Sequence, residues 1–157
     1  MERSALIAKL RALPAQLESL VAGLTDEQLT TPYLEGEWTV AQNIHHVMDS
    51  HMHSYIRCKL ILTQEHPPLR PYDQNVWAAL PDATQADVSL SLAVIKGLHA
   101  RWVSMFESLP DDAWERAGAH PEIGDVTLAF QLDYYAKHGE AHIDQITRTL
   151  AAGGIRA

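Results

Sequence analysis

Prolines divide this chain before any other feature does. They stand at positions 14, 32, 67, 68, 71, 81, 110 and 121, and leave 33–66, 82–109 and 122–157 free of proline. Because proline removes a backbone donor and clashes with the preceding turn, long intervals without it are where helices of several turns can form. The stretch "TVAQ" has the form of a capping box, with Thr39 as cap and Gln42 reaching back. It predicts a second helix running to about Glu65, after a first over roughly residues 3–23. A third is expected from about Thr84 to Ser108. The last is expected from Asp125 or Thr127 to Gly153–Gly154, where glycine suits a left-handed cap. Between them lie a proline-rich connection, in which "DQNVWAAL" predicts a short helical turn, and a second loop, "LPDDAWERAGAHPEIGD". No β-branched run alternates strictly, so no sheet is expected. The resulting expectation is an all-α four-helix bundle with long interhelical connections, a single domain over residues 1–157 without internal repeats.

Composition narrows the setting. With 157 residues, 46% hydrophobic and 20% charged, the chain is large enough to bury one substantial core. A net charge of −8 and the absence of any Lys/Arg run argue against nucleic acid as a partner. Charges and Pro14 interrupt the N-terminal segment, and nothing later approaches a membrane span. Cys58 is the sole cysteine, which excludes an internal disulfide and fits a reducing compartment. A cytoplasmic protein with no membrane partner is expected.

Histidines concentrate in two places. In "YYAKHGEAHIDQI", His138 and His142 are four apart, close enough on a helix surface to share one ion. They lie on a stripe with Gln131, Tyr134, Gln145 and Thr149, about 80° round from the apolar stripe. Such a pair is either part of a metal site or a polar cluster at the bundle rim. It is not a zinc-protease motif, because Gly139 follows the first histidine and Glu140 points away from it. In "NIHHVMDSHMHSYIR", His46, Ser50, His53 and Arg57 share one stripe with Asp49 beside it, while Ile44, Val47, His51, Tyr55, Cys58 and Leu62 share the apolar one. Periodicity therefore turns His46 outward and His51 inward, unless the polar stripe faces a cavity lined by other helices.

The succession "EWTVAQNIHHVMDSHMHSYIRCKLILTQEHPPLRPYDQNVWAAL", "LHARWVSMFESL", "HPEIGDVTL" and "YYAKHGEAHI" resembles the DinB/YfiT superfamily, in particular its YfiT-like branch with bacillithiol transferase-like proteins. The resemblance runs from about Glu37 to Ile146. It implies a four-helix bundle holding a divalent metal, zinc first and nickel second, on three histidines. The family's His-x-x-Asp in the second helix falls on His46 and Asp49, and its HxxxH on His138 and His142. The ligands implied are His46, His138 and His142, in preference to the His51 that periodicity favours. Related sequences carry further histidines where this chain has Lys137, Ala141 and Gln145, and often asparagine where it has His53. His53 is accordingly expected beside the ligands or on the surface.

Three neutral imidazoles would leave an ion its full charge and an open position, the arrangement of catalytic sites. The implied activity is thiol S-transfer, joining bacillithiol or a similar small thiol to an electrophile. The alternatives are a hydrolase using metal-activated water and a non-catalytic metal-binding bundle. In the catalytic readings Asp49 orients a ligand or accepts a proton, Arg57 holds an anionic substrate group, and Tyr72 and Asp73 border the pocket. Gln145 is expected to accept from the ring of His142, and the family analogy implies a homodimer.

Overall fold

The computed structural model describes residues 2–156. Its helices are α1 (Arg3–Val21), α2 (Asp26–Thr30), α3 (Val40–Thr63), α4 (Gln74–Ala78), α5 (Ser89–Glu107) and α6 (Leu128–Ala152). The four long ones form a bundle in which α1 and α3 each pack against both α5 and α6. The chain thus crosses the bundle between α1 and α3, through residues 22–39, and again between α5 and α6, through residues 108–127, while the longest connection, 64–88, joins the neighbours α3 and α5. None of the described helices is long and apolar enough to cross a membrane.

Local chemistry sets the helix ends. Thr39 Oγ1 accepts from Gln42 N at 3.1 Å and Gln42 Oε1 accepts from Thr39 N at 3.0 Å, closing the capping box at the start of α3. Thr127 Oγ1 accepts from Phe130 N at 3.0 Å and opens α6. At the other end of α6 the left-handed residue is Gly154, at φ 69°. The short helix expected in "DQNVWAAL" is α4, capped by Asp73, whose Oδ1 accepts from Asn75 N and Val76 N. Helix α5 begins at Ser89 rather than near Thr84, because Pro81–Thr84 closes into a separate 3₁₀ turn and the chain is extended at Gln85.

The expectation of no sheet is corrected. Strands β1 (Ala117–His120) and β2 (Gly124–Thr127) form an antiparallel hairpin, with Ala117 opposite Thr127 and His120 opposite Gly124. Gly124 turns the corner at φ 78°. The segment after α3 joins its edge: Leu69 N donates to Ala119 O at 2.8 Å and Ala119 N to Pro67 O at 2.9 Å. Gly118 permits this, since a Cβ there would lie 2.9 Å from both Leu69 and the Pro67 carbonyl.

Two apolar clusters fill the bundle. One gathers Leu6, Ile7 and Leu10 with Cys58, Ile61, Trp102, Phe106, Leu132 and Tyr135. The other gathers Leu13, Leu17 and Val21 with Val40, Ile44, Val47, Ile95, Ile146 and Leu150. On three helices the change from one cluster to the other falls at histidines: His51 between Val47 and Cys58, His99 between Ile95 and Trp102, His138 and His142 between Tyr135 and Ile146. A polar layer therefore crosses the middle of the core.

Candidate metal centre

Helix α3 contributes His46 and α6 contributes His138 and His142, one turn apart on the same face. The Nε2 atoms of His46 and His138 are 3.2 Å apart, as are those of His142 and His138. One ring nitrogen from each residue lies within 4.8 Å of the others. His46 is only 3% exposed, so the outward orientation that periodicity suggested does not hold. Its stripe is covered by the loop before α3, where the Trp38 ring lies 4.7 Å from that of His46 and stacks parallel to His142 at 6.2 Å. His51 is buried as well, as its apolar stripe required.

Burial disfavours a charged imidazole, and neighbouring imidazoles reinforce the effect. Burial and then His142 push His46 down to about 3. Burial, then His142 and His46, push His138 down to about 2. Burial alone brings His142 to about 4. All three rings are therefore neutral near neutral pH, each with one nitrogen lone pair.

The hydrogen bonds of His142 show where its lone pair points. The Asn43 amide donates through Nδ2 to Thr39 O at 2.9 Å, which turns its Oδ1 toward His142 Nδ1 at 2.8 Å. Since Oδ1 can only accept, the proton of His142 is on Nδ1 and its Nε2 lone pair faces the cluster. Two nitrogens bound at about 2.0–2.1 Å to a tetrahedral ion stand about 3.3 Å apart, close to the spacing observed. The donor set fits a divalent ion that favours imidazole, a group including zinc, nickel, copper and iron.

Other residues expected at the site are distributed around it. Asp49 makes no hydrogen bond to the three histidines. Its half-buried carboxyl, raised above the usual range by burial and then by Asp82, lines a separate cavity with His45, Asp82 and Asp87. Arg57 donates through Nη2 to Arg70 O at 2.7 Å, holding the proline-rich connection. His53 uses Nδ1 on Asp49 O and stacks on Tyr72 at 4.2 Å, outside the ligand cluster. Asp73 is occupied as the α4 cap. Gln145 borders the cavity in front of the histidines, but the acceptor for His142 is Asn43, which corrects the expectation for Gln145. Asn43 and Trp38 were missed. Asn43 was detectable as a polar residue one turn before His46, on the same helix face.

In front of His138 and His142 opens a cavity of about 340 Å³, lined also by Glu37, Trp38, Gln74, Asn75 and Tyr134. The lining is mainly polar. Grooves of about 400 Å³ between α1 and α6 and about 460 Å³ between α1 and α5 are more apolar and do not open on the cluster.

The fold and the site together define a four-helix bundle with a buried three-histidine cluster able to hold a metal ion and open to a polar cavity. The chain belongs to the DinB superfamily, whose family model matches residues 9–146. It is 46% identical over 142 residues to a Bacillus subtilis protein named "Putative metal-dependent hydrolase YfiT", covering 90% of this chain and 80% of the relative. A Bacillus cereus protein of the same description is 44% identical over 141 residues, covering 90% and 81%. The solved YfiT structure, described as a four-helix bundle of unusual topology, superposes with a TM-score of 0.94 at 42% identity, over 99% of this chain and 89% of that one. A mycothiol-dependent maleylpyruvate isomerase shares the fold alone, with a TM-score of 0.60 at 17% identity over 96% and 68%.

Proposed function

We propose that the protein is a metal-dependent thiol S-transferase in which His46, His138 and His142 hold one divalent cation, zinc before nickel. The observation that carries this reading is a cluster of neutral imidazoles opening onto a polar cavity, with no carboxylate among the described residues hydrogen-bonded to it. A divalent ion held there would supply the positive charge that favours the ionised form of a thiol near neutral pH. The protein then needs no general base in contact with the cluster, which suits the placement of Asp49 in another cavity.

The chain's own residues position and enclose. Asn43 holds the ring of His142, and Trp38 covers His46 and His142 and limits the access of water. Gln74, Asn75 and Gln145, with Glu37 paired to Arg148 at 3.2 Å, offer donors and acceptors for the hydroxyl, amide and carboxylate groups of a polar thiol. In the transfer, sulfur forms a bond to the electrophilic carbon, the leaving group departs with the electron pair, and the thiol proton passes to solvent.

Hydrolysis is the second reading, supported by the names of the relatives at 46% and 44% identity. Incubating metal-loaded and metal-free protein with bromo- or chloro-substituted electrophiles and a panel of small thiols separates the two. Adduct formation requiring both metal and thiol is the expected result. Metal-dependent hydrolysis without thiol establishes the second reading, and no turnover under either condition overturns both. Metal analysis of protein purified without a histidine tag identifies the ion.

A further inference from the structure

Two buried histidines outside the ligand set, His51 and His99, are 0% and 1% exposed. They connect the cluster to the opposite side of the bundle. His138 Nδ1 lies 3.0 Å from His51 Nε2, His51 Nδ1 lies 2.8 Å from His99 Nε2, and His99 Nδ1 lies 2.7 Å from the carbonyl oxygen of Leu10. Each of the four long helices supplies one member: α6 His138, α3 His51, α5 His99 and α1 Leu10.

The direction of this chain follows from its far end. A carbonyl oxygen can only accept, so His99 carries its proton on Nδ1 and accepts at Nε2. His51 must then donate from Nδ1 and accept at Nε2, and His138 must donate from Nδ1. The lone pair of His138 is left on Nε2, the nitrogen 3.2 Å from those of His46 and His142. A neutral imidazole has one donor and one acceptor, so with His99 donating to Leu10 the order along the other rings cannot be mixed. The His51 and His99 rings lie edge to edge and nearly coplanar, 18° apart, and Trp102 and Tyr135 stand roughly perpendicular to His51, which holds the rings in place.

The origin of the chain is a proline. In an α-helix the carbonyl of residue 10 accepts from the N–H of residue 14, and Pro14, inside α1, has none. Leu10 O is therefore left without its helical donor, and His99 supplies one.

We propose that His51 and His99 are positioning residues that, anchored on the Leu10 carbonyl freed by Pro14, hold His138 as the Nδ1–H tautomer with its Nε2 lone pair directed at the cluster. Ligand histidines commonly have such partners, whose loss weakens metal binding about 10- to 100-fold. The consequence for binding rests on the metal reading above; the tautomers do not.

Two-bond ¹H–¹⁵N correlation on histidine-labelled, metal-free protein reads the tautomers directly. The expected result is protonated Nδ1 and unprotonated Nε2 at His51, His99 and His138. An Nε2–H tautomer at any of the three overturns the proposal, and this measurement needs no variant. In zinc titrations against a competing chelator, His99→Phe, which removes both the donor and the acceptor, is expected to bind about 10- to 100-fold more weakly. His99→Gln, whose amide can both accept and donate, is expected to recover most of the loss. Unchanged zinc affinity in His99→Phe with native helical content, or equal losses in both variants, overturns the positioning role. A parent protein that binds no zinc removes the metal reading, and the tautomer measurement still decides the chain's direction.

Discussion

Asn43 stands between two tasks, donating to the Thr39 carbonyl at the start of α3 and accepting from His142 in the cluster. Asn43→Ala would leave a buried imidazole N–H without an acceptor and free the ring to turn. Zinc affinity is expected to fall about 10- to 100-fold, whereas Gln145→Ala, which breaks no bond to the ligands, should change it by less than about 3-fold. Competitive chelator titration checks both, and equal effects would show that the amide of Asn43 does not orient His142. The HxxxH pair was legible because a four-residue spacing is a property of a single helix. Its hydrogen-bond partners were not legible from that spacing, because Asn43 and His51 arrive from α3, where only the one-turn distance from Asn43 to His46 pointed to the first, and spacing along α6 offers only Gln145.

At the scale of elements, strong local signals survived folding. Thr39 and Gln42 carry both halves of a capping box, and α3 starts where they place it. Pro14 sits within α1, whose buried face runs Leu6, Leu10, Leu13 and Leu17 on either side of it. The hairpin was illegible because its strands are four residues each, rich in Ala and Gly, with only Gly118 and Val126 buried. Pairing with Pro67–Leu69, distant in sequence, helps define it. The polar stripe of α3 misled for a related reason: periodicity separates apolar from polar faces but does not reveal that Trp38 and α6 cover the polar one.

At the scale of the whole molecule, a layer of neutral histidines through the core links stability to pH. In the unfolded chain each imidazole titrates near 6.5, while the fold holds His46 at about 3, His138 at about 2 and His142 at about 4, with His51 and His99 also lowered. Between those limits the unfolded chain binds more protons than the folded one, so stability rises with pH. It is complete above about pH 6.5 and is lost progressively as pH falls below that, by up to about 1.4 kcal/mol per pH unit for each histidine. Urea midpoints of metal-free protein should drop steeply from pH 7 to pH 5; a flat profile would mean that the rings are hydrated and charged. This layer was hidden in the sequence, since His51, His99 and His138 are scattered over 88 residues and meet only when the helices align.

The central claim is that His46, His138 and His142 form one metal site, and zinc titration against a competing chelator on the parent chain and on the three single alanine variants tests it most directly. One tightly bound ion per chain is expected in the parent, with that binding lost in His46→Ala, His138→Ala and His142→Ala alike. Parent-like affinity in any one of the three variants would contradict a shared site and reduce the cluster to a buried polar contact.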